Sequence, residues 1–432
     1  MRQELSEQNG FKAWLVEIST ALFFFYIFIQ INMFNAIGPS LIQSFHVTTT
    51  TLGQLSSFYF YTNVICLFPA GLYLDHFSTR RVLLIVTLLT AMATAVFGAA
   101  EFFWEAAFAR LVVGITGSFA LIVCVKLASR WFSPRRMALV TGTFVTLAMF
   151  GGVVAQTPFV ILLHAVGWRD AMYWNAGLGV LLTVLMFIFV RDYPKDYDIA
   201  AEQEKVKHQL QFWTAIKHVL KNPQNWLAGL YTSLVNLPIF LLGALWGSLY
   251  LMQAEGLTQA QSTTVTSMLF FGSMIGCPVL GWASDKIGRR CRPMMIGSVL
   301  SLITIVVIMY MPNLHFAALL LLFFFLGFIT SIQVIGYPVL IESNPLSLTA
   351  RAQGFSSMII MAGGLTQPIF AYLMNLHWNH HMLNGMPIYS KADFHWGMAM
   401  MPIAFILSLI IVFFIGETYC QHCDERTVEK KD

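Results

Sequence analysis

Residues 71–81 read Gly-Leu-Tyr-Leu-Asp-His-Phe-Ser-Thr-Arg-Arg and lie where one long apolar run ends and the next begins. Residues 281–290 read Gly-Trp-Ala-Ser-Asp-Lys-Ile-Gly-Arg-Arg and repeat the pattern at another boundary between apolar runs. The two aspartates, Asp75 and Asp285, are 210 residues apart, which is close to half of the 432-residue chain. The same residue types at the same kind of boundary indicate two related membrane halves.

The composition of the chain is that of a membrane protein. Hydrophobic residues make up 57% of it and charged residues 11%, whereas an average soluble protein has about 25% charged residues. Several apolar runs reach the roughly 20 residues with which a helix crosses the hydrocarbon core, so a soluble helical protein is excluded. The net charge of +4 implies no nucleic-acid partner, because the basic residues lie beside the ends of the apolar runs.

Cysteines and other reactive residues indicate no catalytic or metal chemistry. The six cysteines are scattered along the chain and form no disulfide framework. No nucleophile with a base, and no cluster of metal-binding residues, occurs at a common depth in the apolar runs. We therefore expect a protein that is not an enzyme, with no catalytic residues, no metal and no cofactor.

The apolar runs predict an all-α integral membrane protein with twelve transmembrane helices. We place these spans near residues 13–37, 51–74, 81–103, 105–128, 137–163, 170–190, 226–252, 262–284, 293–311, 315–341, 352–376 and 396–416. The predicted domains are an N-terminal six-helix bundle, a cytoplasmic linker, a C-terminal six-helix bundle and a cytoplasmic tail, at residues 1–190, 191–225, 226–416 and 417–432.

The basic residues predict which way the chain crosses the membrane. With the N-terminus in the cytoplasm, nearly all of the 25 Lys and Arg residues lie on the cytoplasmic side, as the positive-inside rule requires. Arg169 and Lys391 are the two on the opposite side, and Arg110 and Lys126 lie within span 4. Both termini are therefore predicted to be cytoplasmic.

The repeated stretch resembles the loop signature of the major facilitator superfamily of transporters, G-x-x-x-D-x-x-G-x-R-R. In that family the signature lies on the cytoplasmic side, between spans 2 and 3 and again between spans 8 and 9. The second copy matches it better, since the first has His76 and Ser78 where the family prefers arginine and glycine. The resemblance covers essentially the whole chain and implies two pseudo-symmetric six-helix bundles that rock about a central cavity.

Each copy of the signature contains a glycine and an aspartate with an expected structural role. Gly71 and Gly281 lack a Cβ atom, so we expect them to let a neighbouring helix approach closely. Asp75 and Asp285 end spans at the membrane interface, where a carboxylate can meet the positive N-terminus of another helix. These contacts would latch the cytoplasmic ends together.

The family resemblance also suggests partners for the aspartates. It places Asp75 near Arg351 at the start of span 11, and Asp285 near Arg136 at the start of span 5. For the arginines of the first copy, the alternative is that they merely obey the positive-inside rule. The predicted gating residues are Gly71, Asp75, Arg80, Arg81, Arg136, Gly281, Asp285, Gly288, Arg289, Arg290 and Arg351.

Arg110 is the most informative single charge in the apolar runs. It lies roughly 9 Å inside the membrane from the outer end of span 4, where a cation is costly and normally faces a cavity or a partner. Together with Gly114 and Gly117 it resembles the arginine-glycine motif of span 4 in the family. Two kinds of role stay open. One is functional, as an anion or carboxylate contact or in proton coupling, and the other is structural, as a hydrogen bond to carbonyls of a neighbouring helix.

Polar and aromatic residues at midplane depth complete the predicted substrate site. Asn236 precedes Leu237 and Pro238, and we expect this proline to break span 7 because it removes a helix hydrogen bond. Each such residue is either a substrate contact or an interhelical hydrogen bond. The predicted substrate-binding residues are Tyr26, Gln30, Tyr61, Arg110, Asn236, Trp246, Gln333, Tyr337 and Gln367.

No Asp or Glu occurs at the middle of any predicted span. Glu17 is about one turn inside span 1, and we expect it to be an entrance residue near water. Many proton-driven transporters titrate a buried carboxylate, so this absence counts against that mechanism here. A coupling proton stays a candidate partner, alongside coupling through the substrate and facilitated diffusion.

We predict a monomeric secondary active or facilitative transporter in a bacterial inner membrane, with a symporter among the candidate mechanisms. Its expected partners are the lipid bilayer and a small organic solute, namely an amino acid, a short peptide or a carboxylate whose carboxyl group meets Arg110. Alternating access of the two halves would move the solute.

Three alternatives were weighed against this prediction. A resemblance to the branch that carries organic anions and phosphate esters leaves phosphate esters disfavoured, because spans 1 and 7 contain no Lys or Arg to hold phosphate. Exporters of drugs or metabolites in this family usually have a proline after the glycines of span 5. In this chain no proline follows Gly151 and Gly152 in that span, which disfavours an exporter. A non-transporting membrane sensor on the same fold would need a signalling extension.

Overall fold

A computed structural model describes residues 10–133, 136–194, 212–312, 314–345, 348–383 and 386–421. These residues are almost entirely helical, which confirms the all-α prediction. The chain divides into two compact units. The described parts of the first unit lie within residues 10–45 and 58–194, and those of the second within 46–57 and 212–421.

The first nine helices within the described residues belong to the first unit, except that α3 is shared between the two units. They are α1 Gly10–Asn32, α2 Phe34–Phe45, α3 Thr49–His76, α4 Thr79–Ala99, α5 Phe103–Gly117, α6 Ala120–Trp131, α7 Met137–Val154, α8 Thr157–Val166 and α9 Trp168–Phe189.

The second unit contains eleven further α-helices within the described residues. They are α10 Phe212–Lys221, α11 Pro223–Val235, α12 Gly247–Gln253, α13 Gln259–Ile287, α14 Cys291–Tyr310, α15 Phe316–Thr330, α16 Gly336–Glu342, α17 Thr349–Ala362, α18 Gln367–Asn375, α19 Lys391–Met398 and α20 Met400–Phe414. Between them lie a π-helix, Ile239–Trp246, and two 3₁₀ segments, Ser331–Ile335 and Gly363–Thr366. A two-stranded antiparallel hairpin, β1 Met382–Leu383 and β2 Met386–Pro387, pairs Met382 with Pro387.

Ten helical segments within the described residues are long and apolar enough to cross a membrane. An eleventh is the bent pair Pro223–Val235 and Ile239–Gln253, whose axes differ by 41°. The helix over the predicted second span, α3, has 28 residues but is not among the eleven. The multi-pass membrane protein is confirmed, and the twelfth crossing stays a prediction.

The predicted break in span 7 is confirmed. Helix α11 ends at Val235, Asn236 and Pro238 follow, and the chain continues as a π-helix. Proline has no N–H to donate to the preceding turn, and π-helical turns occur where an α-helical ladder is interrupted. The bend therefore lies where the sequence places Asn236.

Both units pair their helices in the same way. In the first unit, α1 packs along α7 and α4 packs along α9. In the second unit, α11 packs along α17 and α14 packs along α20. Counted in predicted spans, these are spans 1 with 5 and 3 with 6, and then 7 with 11 and 9 with 12. The packing of each unit therefore agrees with a duplicated half.

Candidate functional site

Arg110 is held in the interior of the first unit by contacts to α1, α2 and α3. Its side chain is 1% exposed, and its Nη1 donates a hydrogen bond of 2.8 Å to the backbone oxygen of Gln30. The guanidinium lies 4.4 Å from the ring centre of Phe34 and 5.4 Å from that of Tyr59. Aromatic faces attract a cation most strongly when water is excluded, so these rings help to keep a charge at this depth.

Gln30 is fully buried, and neither end of its amide has a hydrogen-bond partner among the described residues. Leaving a buried amide without a partner costs about 1–3 kcal/mol in mutational data. Because Arg110 contacts the backbone of the same residue, a buried cation and an unsatisfied amide lie side by side. A molecule with acceptor oxygens would accept hydrogen bonds from the NH₂ group of Gln30 and from the guanidinium of Arg110.

The other predicted contacts of the first unit have different surroundings. Tyr26 is buried, and its hydroxyl donates to the backbone oxygen of Asn175 at 3.0 Å, so it already has a partner. Tyr61 is 41% exposed and lies on the surface of the unit. The buried tyrosine of α3 is instead Tyr59, whose hydroxyl accepts a 3.3 Å hydrogen bond from Nδ2 of Asn63. Tyr59 and Asn63 are also polar residues at midplane depth of predicted span 2, and their i, i+4 spacing places them on one helix face.

In the second unit, two predicted contacts bind each other. Nε2 of Gln333 donates to Oδ1 of Asn236 at 2.9 Å. Gln333 lies in the 3₁₀ segment within span 10 and Asn236 at the break in span 7, so both lie at interruptions of their helices. Both have slight exposure, 9% and 8%.

Gln367 and Trp246 join the π-helix to span 11. Nε2 of Gln367 donates to the backbone oxygen of Phe240 at 2.9 Å, and the indole of Trp246 donates to the backbone oxygen of Gln367 at 3.1 Å. Oε1 of Gln367 has no partner within the described residues. Tyr337, the remaining predicted contact, is half-buried at the start of α16. All nine predicted substrate contacts stay predictions.

In the second signature copy, Arg290 is the centre of an ionic network. Its Nη1 lies 2.6 Å from Oδ1 of Asp285, and its Nη2 and Nε lie 2.6 and 3.2 Å from the two carboxylate oxygens of Glu342. Thr418 also donates to Glu342. The network joins the end of α13, the end of α16 and the segment after α20.

The glycine of the second copy has a clear backbone role. Gly288 ends α13 with φ of +66°, in the left-handed region that favours glycine. In the first copy, Ser78 has φ of −57° and caps α4, its Oγ accepting from the backbone N–H of Arg81. The two loops therefore differ in geometry where the sequences differ.

In each unit, a carboxylate that follows the last span accepts hydrogen bonds from the start of the helix after the signature. Glu417 accepts hydrogen bonds from the backbone N–H groups of Arg290 and Cys291, at 2.7 and 3.0 Å. Asp192 accepts from the backbone N–H of Arg80 at 2.8 Å and from Ser78 Oγ at 2.5 Å. Both clamps were missed from sequence, although each acid lies close behind a predicted span.

Among the described atoms, none comes unusually close to either signature glycine. No described atom lies within 4 Å of a Cβ built on Gly71, and one on Gly281 would meet Val334 at an ordinary 3.9 Å. The side chain of Asp75 lies outside the described part of the structure, and Asp285 is bound by Arg290. The pairings of these aspartates with Arg351 and Arg136 stay predictions.

Two of the remaining predicted gating arginines contact a backbone oxygen or an aromatic ring nearby. Arg80 donates to the backbone oxygen of Phe187 at 2.7 Å, and Arg289 lies over the ring of Tyr419 at 5.8 Å. Arg81 and Arg136 are exposed. These contacts hold side chains locally and leave the gating role of the set a prediction.

The expectation that Glu17 lies near water is wrong. Its side chain is 1% exposed and lies on the buried face of α1. The expectation used only the depth of Glu17 along span 1. Depth does not determine which face of the helix carries the residue, and Glu17 lies on the buried face.

The sequence profile of the Major Facilitator Superfamily matches residues 20–368, which is most of the chain. The chain belongs to the Major Facilitator Superfamily. Its fold agrees, since a bacterial homolog of the human lysosomal transporter Spinster superposes with a TM-score of 0.71 over 95% of this chain and 96% of that one, at 13% identity.

Three curated bacterial relatives of this superfamily member differ in their named roles. It is 24% identical to the membrane sensor protein UhpC of Salmonella typhimurium, over 83% of this chain and 84% of the relative. A probable hexose phosphate transport protein of Chlamydia muridarum is 22% identical, over 66% and 67%. The probable sulfoacetate transporter SauU of Cupriavidus necator is 23% identical, over 82% and 85%.

Proposed function

We propose that this protein is a secondary transporter of small organic anions, with carboxylates and sulfonates as the preferred class. Arg110 and the amide of Gln30 contact the anionic group of the solute. The observation that carries the proposal is the buried guanidinium beside a buried amide that lacks partners among the described residues. Amino acids and short peptides stay within this class through their carboxyl group.

The chemistry of the two groups suits a planar anion. A guanidinium presents several N–H donors in one plane and binds a carboxylate through two parallel hydrogen bonds. The flanking rings of Phe34 and Tyr59 restrict that plane, so fewer side-chain conformations are lost on binding. The NH₂ group of Gln30 supplies a further donor.

The named solutes of the relatives also support an anion. Sulfoacetate contains a carboxylate and a sulfonate, and a hexose phosphate is a phosphate ester. Predicted spans 1 and 7 contain no Lys or Arg, which favours the carboxylate or sulfonate over the more highly charged phosphate. Bacterial inner-membrane placement and alternating access belong to the same proposal.

The test is ligand-induced thermal stabilisation of the purified protein, because a ligand that binds the native state raises its melting temperature. The probes are sulfoacetate, a dicarboxylate, an amino acid, a dipeptide, glucose 6-phosphate and glucose. We expect stabilisation by carboxylate-bearing probes and none by glucose. Arg110→Gln should remove it, and Gln30→Leu should weaken it.

The matched control is Arg191→Gln, which removes an exposed arginine of the same unit. It should leave the stabilisation unchanged. Stabilisation that persists in Arg110→Gln would contradict the proposal and give Arg110 a structural role. Stabilisation by glucose alone would contradict the substrate class.

A second candidate function is a membrane sensor that binds the same anion without moving it. The relative UhpC, named as a membrane sensor, is the observation that favours it. Proteoliposome flux separates the two functions. A transporter exchanges labelled sulfoacetate or dicarboxylate across the bilayer, whereas a sensor shows Arg110-dependent stabilisation and no exchange above empty liposomes.

A further inference from the structure

Glu17 is a carboxylate buried inside the first unit, and the described residues offer it no hydrogen-bond partner. Its side chain is 1% exposed, and neither oxygen has a partner among the described residues. Ala13 and Ala21, one turn before and after it on the same helix face, belong to an apolar cluster. That cluster also contains Cys124, Val140 and Phe144. Glu17 therefore faces an apolar interior made by α1, α6 and α7.

No charged group among the described residues forms an ion pair or hydrogen bond with Glu17. The Cys124 thiol of α6 is the titratable group next to it. Lys126 and Arg130, also on α6, bind the backbone oxygen of Leu74 and the hydroxyl of Thr79. Helices α2 and α7 carry no titratable side chain. Further titratable groups on α4, α5 and α9, which pack against α1, are Arg80, Arg81, Glu105, Arg110, Arg169, Asp170 and Tyr173, and α1 itself carries Lys12 and Tyr26.

An ionised carboxylate is very unfavourable in such surroundings. Moving an isolated carboxylate into an apolar medium costs tens of kcal/mol in an idealised estimate, and the group takes up a proton instead. A leucine at the same position would fill the space without this cost. An ionisable residue inside a membrane protein is therefore a site with a function to be explained.

We propose that Glu17 is a proton-binding site of this transporter, protonated in the conformation described here, and that its deprotonation is coupled to solute movement. This inference deepens the proposed function and rests on it for the coupling. The proton binds a carboxylate oxygen of Glu17, forming an O–H bond, and leaves to water when a change of conformation hydrates the carboxylate. The transported anion and the proton then move as a symport pair.

The position of Glu17 shows how such coupling is transmitted. Glu17 and Gln30 are on the same helix, α1, and lie thirteen positions apart in the sequence, about 20 Å at 1.5 Å per residue. Arg110 binds the backbone of Gln30 at 2.8 Å. Glu17 is thus too far from Arg110 for an ion pair, and a movement of the rigid helix α1 is the physical link between the two sites.

The first test detects the proton directly and needs no substrate. Infrared spectra of the full-length protein are recorded at pH 7 in a detergent without ester groups, in the carboxylic-acid C=O stretching region. We expect a band in the wild type that is lost in Glu17→Gln and shifted in Glu17→Asp. The control Glu105→Gln, which changes an exposed carboxylate, should retain it. A wild-type spectrum without the band, or a band that survives Glu17→Gln unchanged, overturns the proposal.

The second test separates proton coupling from solute binding. Proteoliposomes with an imposed pH gradient are assayed for accumulation of labelled sulfoacetate, and without a gradient for counterflow. Glu17→Gln should lose accumulation and retain counterflow, whereas Arg110→Gln should lose both. Equal accumulation in Glu17→Gln and wild type overturns the coupling. Absence of both fluxes in the wild type would contradict sulfoacetate as the solute, while the infrared result still decides the proton site.

Discussion

At the scale of single residues, a glycine in a membrane helix matters most where another backbone passes close to it. A Cβ on Gly114 would overlap the backbone oxygen of Tyr59, and one on Gly117 would lie 2.6 Å from the Tyr59 hydroxyl. Helix α5 therefore packs tightly on α3 beside Arg110. The signature glycine Gly71 has no such contact among the described atoms, and its role in helix packing stays a prediction.

The same Gly→Ala change should consequently have opposite effects at the two positions. Gly114→Ala forces backbone to move, and overpacking of this kind costs about 1–3 kcal/mol. Gly71→Ala adds a methyl group in open space and gains at most about 1 kcal/mol of helix propensity. Thermal unfolding of the purified variants measures both. Equal melting temperatures for the two variants would show that the α3–α5 contact is not tight.

The unsatisfied side chains are also residue-scale features. Gln30 and Glu17 lie on one helix, both fully or almost fully buried, and both lack hydrogen-bond partners among the described residues. Buried polar groups normally have partners. Both side chains lie on α1, the helix that contacts Arg110, which is why we place the anion and the proton along it.

At the scale of elements, the loop after each signature aspartate is held by a carboxylate from far along the chain. Burial alone would raise the pKa of Glu417, but hydrogen bonds from the backbone N–H groups of Arg290, Cys291 and Tyr419 outweigh it and hold that pKa below its ordinary value of 4.5. The carboxylate thus caps the positive N-terminus of α14 and ties the segment after α20 to it.

The Glu417 cap should stabilise the protein in a pH-dependent way. Because the folded-state pKa is lowered, its contribution is fully present above pH 4.5 and is lost as the pH falls through the folded-state value. Glu417→Ala should therefore cost about 0.5–2 kcal/mol at pH 7, as loss of a helix cap does. The difference from wild type should shrink below pH 4.5.

Thermal unfolding across pH 3.5–8 checks the effect of this cap. Glu101→Ala, which removes an exposed carboxylate, is the control and should follow the wild type throughout. A Glu417→Ala difference that stays constant from pH 8 down to pH 3.5 would contradict the assignment of the stabilising group.

At the scale of the whole molecule, the number of membrane crossings decides where the termini lie. An even number places both termini on one side, and an odd number places them on opposite sides. With the bent pair counted, eleven segments of the described residues are long and apolar enough to cross, and α3 would be the twelfth. Whether α3 crosses the membrane thus decides between the two topologies.

Cysteine labelling tests this directly. In a cysteine-free background, Thr48→Cys at one end of α3 should react with a membrane-impermeant maleimide added outside intact cells, and Phe77→Cys at the other should not. Both positions flank α3 and are exposed, Phe77 to 53%. Fluorescent-protein fusions to the two termini should both report the cytoplasm. Labelling of both cysteines from outside would remove the twelfth crossing.

The sequence by itself determined that this is a duplicated, all-helical membrane protein of the transporter superfamily. Apolar runs, basic loops and the two aspartate signatures are local patterns, so they can be read without knowledge of packing. It also located the break at Pro238 and the unusual depth of Arg110, because both follow from helix geometry along one segment.

Only the tertiary structure decided which buried groups have partners. Gln30 and Arg110 are 80 residues apart, and Glu417 and Arg290 are 127 apart, so their contacts depend on how helices pack. The same holds for Glu17, whose depth was predictable but whose helix face was not. Helix packing determines which face of each helix is buried. Because the lipid-facing side is also apolar, the sequence shows little apolar-polar periodicity from which the buried face could be predicted.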